Sequence, residues 1–270
     1  MSEQLNSISL TGVTASLAKA MDITPPAQAQ PPIDAIDRLV KQSTANGKVD
    51  RIFMYNPDAV AMWLYQKYTE FYLPLLDHAK LPLPLRAVMP SVTLVCFGTM
   101  YTGALPEVHG IRTYEKPVIR IDTLFDALIR AGKKCAIVST TGDSISEIFL
   151  NREMDYFIYD TVEEINLKAL ELIEKDRYDL LVVYNANYDG TMHKTGPEAE
   201  AAMDALKDNI WTYQRLVQAV EQHWKDHDVL YGFMPDHGCH QIDKGAGSHG
   251  LDMEEDMNII HFYGAKPRKV

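Results

Sequence analysis

Three short apolar runs in this 270-residue chain are each followed at once by an acidic residue, and two of them by an imidazole as well: RIFMY by NPDAV, LLVVY by NANYDGTMH, and VLYGFM by PDHGCH. The side chains so delivered are Asp58, Asp189 with His193, and Asp236 with His237; His249 follows in GAGSHG, twelve residues after His237. Taken singly, each group is ordinary. An Asp and a His four residues apart suit a helix cap and a surface histidine as well as one metal ion, and Asp-His before Gly suits a turn. Together, carboxylates and imidazoles at several strand ends form the donor set of a two-metal hydrolytic centre, in which two dications about 3.5–4 Å apart need six or more oxygen and nitrogen ligands. Such a centre also needs a nucleophile. The stretch PSVTLVCFGTMYTGALPEVHGI, residues 90–111, offers the hydroxyls of Thr93, Thr99 and Thr102. At a helix start, Thr93 suits either an N-cap or a nucleophile beside amides that cradle a phosphoryl group, and the sequence alone leaves both open.

These residues converge only if the apolar runs are neighbouring strands. Arg51–Tyr55, Cys135–Ser139, Tyr156–Tyr159, Leu180–Tyr184, Val229–Met234 and Ile259–Tyr263 are short and rich in β-branched or aromatic residues, as strands are. Helical patterns lie between them: Thr123–Lys133 with Leu124, Leu128 and Ala131 on one face, Val162–Lys175 with Ile165, Ala169, Leu172 and Ile173, and the long stretch Glu198–Lys225. Strands bracketed by crossover helices predict an α/β fold with a mainly parallel central sheet flanked by helices, whose ligands bind beyond the carboxyl ends of the strands. PPAQAQPP, Pro25–Pro32, can neither continue a helix nor donate to a sheet. It divides residues 1–48, read as a peripheral N-terminal arm and Pro-rich connector, from a single catalytic domain over 49–270.

A content of 46% hydrophobic residues is enough for a substantial core. The net charge of −11 argues against partners with anionic backbones or surfaces, whether nucleic acid or membrane. Cys96, Cys135 and Cys239 are odd in number and widely spaced, which suggests neither a disulfide framework nor a thiolate zinc site and fits a reducing compartment. No run approaches the length that spans a bilayer, and the N-terminus lacks a basic start with an apolar run, so the expectation is a cytoplasmic protein.

The ordered set NPDAV, PSVTLVCFGTMYTGALPEVHGI, YNANYDGTMHKTGP, MPDHG and SHG, from Asn56 to Gly250, resembles the alkaline phosphatase superfamily. It is most similar to the type I phosphodiesterase/nucleotide pyrophosphatase branch, to which phosphonoacetate hydrolase is also similar. The resemblance implies a three-layer sandwich with two divalent ions, zinc or alternatively manganese, at the carboxyl edge of its sheet. It implies that Asp189, His193 and His249 hold one ion, while Asp58, Asp236, His237 and the Thr93 hydroxyl hold the other. Asp58 is preferred to Asn56 as the first ligand because a carboxylate neutralises dicationic charge and an amide does not. Thr93 would be the nucleophile, forming a phospho-threonine, and the substrate a small phosphorylated molecule. Within the superfamily the alternatives are a phosphomonoesterase, phosphonate hydrolase or phosphomutase; outside catalysis, a silent metal-binding relative.

Two departures from the branch pattern stand out. Its asparagines three and twenty-one residues after the nucleophile are Cys96 and Tyr114 here, so Tyr114 or Arg112 is the candidate substrate contact. The insertion that larger relatives carry between the DHG and HG motifs is also missing, which predicts an open site, or one closed by the N-terminal arm or by a partner subunit in a homo-oligomer.

Overall fold

The computed structural model describes residues 4–269, so the first three residues of the expected arm lie outside it. Nine strands form among the described residues: β1 Arg51–Pro57, β2 Leu81–Arg86, β3 Cys135–Thr140, β4 Asp155–Tyr159, β5 Leu180–Asn185, β6 Val229–Phe233, β7 His240–Ile242, β8 Ala246–Ser248 and β9 Asn258–Lys266. Seven of them make one sheet in the order β2-β9-β6-β1-β5-β3-β4, and β7 with β8 makes a separate hairpin. From β6 to β4 every pairing is parallel, with Tyr55 of β1 beside Val183 of β5 on one side and Phe233 of β6 on the other. Strand β9 runs antiparallel to both of its neighbours.

The central strands are buried along almost their whole length because both faces are covered. Ile52, Met54, Leu180, Val182, Cys135 and Ile137 project into one core with the helices Val13–Ala20, Asp34–Ser43, Thr93–Thr102 and Leu124–Arg130. Phe53, Tyr55, Leu181, Val183, Ala136 and Val138 project into the other, with Val162–Lys175 and Glu200–His223. This period-two division makes a sheet between two helical layers and brings the ends of β1, β5 and β6 side by side.

Strand β2 (LPLPLR) has no counterpart among the expected strands, since proline lacks a donor. It forms because it lies at the sheet edge: Pro82 and Pro84 are exposed, while Leu83 and Leu85 point inward.

The segment read as a peripheral arm is packed into the molecule instead. Every residue of Val13–Ala20 except Lys19 is buried. The hydroxyls of Thr14 and Ser16 are satisfied by the carbonyls of Met100 and Gly12, so this helix has no polar face and shows no amphipathic period. The proline-rich stretch lies over the C-terminus of the Thr93–Thr102 helix, where Gln30 N–H donates to the Gly103 carbonyl at 3.0 Å. Gly103 has φ +70°, and a Cβ there would stand 2.6 Å from that of Ala29. Because Leu17 is fully buried, Leu17→Ala is expected to lower stability by about 2–5 kcal/mol in calorimetry, whereas a peripheral segment would lose less than about 0.5 kcal/mol.

Candidate metal centre

Five of the six expected ligands sit where the chain leaves a central strand, and the sixth, His249, follows the hairpin strand β8. Asp58 follows β1, its N–H donating to the Asn185 carbonyl at the end of β5. Ala59 then turns at φ 60° in the left-handed region, which aims its N–H at Asp236 Oδ1, 3.2 Å away. Asp236 and His237 follow β6. Asp189 and His193 lie one turn apart on the helix Asn187–Thr195, directly after β5. His249 comes off β8, and Gly247 lets that strand reach the helix: a Cβ there would stand 2.2 Å from Met192 Sδ.

Two donor groups result, Asp189 with His193 and His249, and Asp58 with Asp236 and His237. In the first, Asp189 Oδ1 is 3.1 Å from His193 Nε2 and 3.4 Å from His249 Nε2, and the two imidazole nitrogens are 3.1 Å apart. In the second, His237 Nε2 is 3.4 Å from Asp58 Oδ1 and 3.3 Å from Asp236 Oδ2. The rings of His237 and His249 are 4.1 Å apart between centroids, so the two groups form one site.

The three histidines share a tautomer. Nδ1 faces a backbone carbonyl in each, Gly247 for His193, Gly238 for His237 and Ser91 for His249, at 3.0, 2.9 and 3.2 Å. A carbonyl only accepts, so Nδ1 carries the proton and every Nε2 turns a lone pair into the site, the orientation that metal-bound histidines take. Lone pairs facing each other across 3.1 Å repel unless a cation lies between them. Asp189 Oδ1 and Asp236 Oδ2, one in each group, are buried without an aligned hydrogen bond. Two carboxylate oxygens without hydrogen bonds, among inward lone pairs, are a donor set that divalent ions would satisfy.

The electrostatics agree. Burial, together with the charges of Asp236 and Asp189, holds the Asp58 carboxyl well above the usual carboxylate range. Burial pushes Asp236 up to about 7 and holds His237 and His249 below the ordinary histidine range. Asp189 is also buried, but its contacts with His193 and His249 outweigh that and hold it low, and in turn it raises His193.

Thr93 opens the helix Thr93–Thr102, but it does not cap it. The N-cap is Val92 and there is no side-chain cap bond. Thr93 Oγ lies instead 3.2 Å from Asp58 Oδ2 and 3.3 Å from His237 Nε2, beside the first amides of the helix. Cys96, one turn on, is fully buried with Sγ towards the Val88 carbonyl. Tyr114 is 68% exposed, and Arg112 donates to the Glu107 carbonyl. Among the described residues neither hydrogen-bonds to Thr93 or to the six ligands. One residue beside the ligands carries no signal in the sequence: Tyr184, whose hydroxyl donates to Asp58 Oδ2, reads as an ordinary strand tyrosine.

The human ectonucleotide pyrophosphatase/phosphodiesterase 5 superposes with a TM-score of 0.64 over 80% of this chain and 88% of its own, at 13% identity. The fold is that of the nucleotide pyrophosphatase/phosphodiesterases. Phosphonoacetate hydrolase of Sinorhizobium meliloti 1021, solved with phosphonoformate, matches with a TM-score of 0.52 over 73% of this chain and 59% of its own, at 17% identity. In sequence, the venom phosphodiesterase of Macrovipera lebetinus is 26% identical over 219 residues, 71% of this chain and 25% of the relative. The chain thus spans about a quarter of the length of the curated relatives it matches. No family model matches the chain. These likenesses are consistent with the alkaline phosphatase superfamily and its phosphodiesterase-like branch, as the motifs imply. No helix among the described residues is long and apolar enough to cross a membrane.

Proposed function

We propose that the chain is a metal-dependent hydrolase of phosphate esters, of the phosphodiesterase/nucleotide pyrophosphatase type, with Thr93 as nucleophile. The observation that carries this reading is the placement of one hydroxyl, free of any capping role, against Asp58 and His237 in one of two adjoining donor groups with inward lone pairs. Asp189, His193 and His249 would hold one ion and Asp58, Asp236 and His237 the other, zinc by the Asp/His donor set, with manganese the alternative. When bound, the two ions supply Lewis-acid stabilisation of the charge on the phosphoryl oxygens and on the departing oxygen.

The protein's own part is positioning. Thr93 Oγ, releasing its proton to solvent, would attack phosphorus as the bond to the leaving oxygen breaks and that oxygen takes up a proton, with the first amides of the helix beside the phosphoryl group; water would then hydrolyse the phospho-threonine and restore the hydroxyl. Two inversions give net retention at phosphorus. Placement at the first turn of a buried helix, against Asp58 and His237, holds the hydroxyl ready for in-line attack. The ions' local field, rather than the net charge of −11, would draw the anionic substrate. Free, buried Cys96, Cys135 and Cys239 support a reducing, cytoplasmic setting.

The test is to assay purified protein on a p-nitrophenyl phosphodiester, a monoester and a phosphonate ester, with and without chelator. The expected result is turnover of the diester, lost on chelation and restored by zinc. Preference for the monoester or the phosphonate moves the protein to another activity of the superfamily, and no turnover with ions bound makes it a silent relative.

A further inference from the structure

Tyr184 lies on β5 with its ring 2% exposed, on the sheet face that meets the Thr93–Thr102 helix, edge-on to Phe97 with centroids 5.4 Å apart. Its hydroxyl donates to Asp58 Oδ2, the same oxygen that Thr93 Oγ approaches to 3.2 Å. Two hydroxyls therefore address one carboxylate oxygen, and only one of them belongs to the proposed nucleophile. With the phenol on Oδ2, the other oxygen, Oδ1, is the one 3.4 Å from His237 Nε2 and turned towards that donor group. The three histidines are each held by a backbone carbonyl; the Asp58 carboxylate is held by a side chain from the neighbouring strand.

We propose that Tyr184 is the positioning residue of Asp58. The phenol fixes which carboxylate oxygen faces the ion and gives Oδ2 a donor besides Thr93, so that Asp58 stays oriented when the Thr93 hydroxyl turns to phosphorus. This inference rests on the reading given under Proposed function. Without the phenol, Asp58 is freer to turn, and the Thr93 hydroxyl is the side-chain donor left to it. Removing such a hydrogen bond behind a ligand typically costs 10–100-fold in metal affinity.

The experiment titrates the metal-stripped wild type and the Tyr184→Phe variant with cobalt(II) or zinc(II) in competition with a chromophoric chelator, and records the cobalt visible spectrum. The control is Tyr101→Phe, which removes another fully buried phenol whose hydroxyl donates to Asn56 Oδ1 at 2.6 Å. The wild type is expected to take up two ions. In Tyr184→Phe one ion, that of the Asp189 group, keeps its affinity, while the other weakens about 10–100-fold with an altered cobalt spectrum. Tyr101→Phe is expected to leave both unchanged. Wild-type binding of both ions by Tyr184→Phe overturns the proposal, as does equal weakening in the two variants, which would mark a general packing effect. Melting temperatures of both variants separate loss of a ligand's support from loss of fold. Failure of the wild type itself to bind ions would instead sink the functional reading.

Discussion

Turnover of a phosphodiester by Thr93→Ala is expected to fall by on the order of 10⁴-fold or more, because the other threonines of its helix cannot replace it. Thr99 and Thr102 lie on the same helix but are engaged elsewhere, Thr99 with His109 Nε2 and Thr102 with the Gly98 carbonyl. The substitution removes a hydroxyl that caps nothing, so the helix should be little affected and melting nearly unchanged. Uptake of an ion by Asp189, His193 and His249 should also persist, since Thr93 contacts only Asp58 and His237 among the ligands. Thr93→Ser keeps an oxygen and should retain measurable turnover. Steady-state kinetics with metal analysis of the same samples checks all of this. Undiminished activity in Thr93→Ala would remove the covalent route.

The second large effect is on stability. Asp58 and Asp236 are almost wholly buried, and burial raises both carboxyls, Asp236 to about 7, with the charges of Asp236 and Asp189 raising Asp58 further. A carboxyl raised in the folded state contributes stability that is present below its unfolded value and is lost as pH rises through its folded value. The two carboxyls therefore lower the melting temperature of the metal-stripped protein as pH climbs from about 4 through about 7, and their effect stands alone above about 6.5, where His237 and His249, held low by burial, are neutral in both states and no longer add stability with rising pH. Bound ions remove that decline by neutralising the pair, so the gap between loaded and stripped protein should widen with pH. An ion at about a thousand times its dissociation constant adds about 4 kcal/mol, or roughly 10 °C for a chain of this size. Calorimetry at pH 6 and pH 8, with chelator and with zinc, measures the gap. A melting temperature indifferent to chelator at pH 8 would contradict the two-ion reading.

The central strands were legible because both faces of each are buried, so they appear as unbroken apolar runs, whereas β4, half-exposed at the sheet edge, was read from its aromatic and β-branched residues; the carboxyl ends were the natural place to seek ligands. Their bounds shifted by a residue or a few; β9 runs from Asn258 to Lys266 rather than Ile259 to Tyr263. What was illegible has physical reasons. Strand β2 contains two prolines that only an edge tolerates, and an edge is a property of topology. The Val13–Ala20 helix is buried all round, which erases the periodicity that marks a surface helix. Strands β7 and β8 are three residues each, below the length at which alternation can be read. Within the site, the donors were visible as residue types, whereas the carbonyls that set the histidine tautomers and the phenol behind Asp58 were not. Those contacts depend on where separate segments meet.

Asp58 comes from the first strand of the sheet and His249 from beyond the sixth, and neither donor group closes before the polypeptide has been made past residue 236. A growing chain would therefore expose lone carboxylates that bind ions weakly and exchange them freely, and any ion the site takes would be captured only once these distant segments have come together.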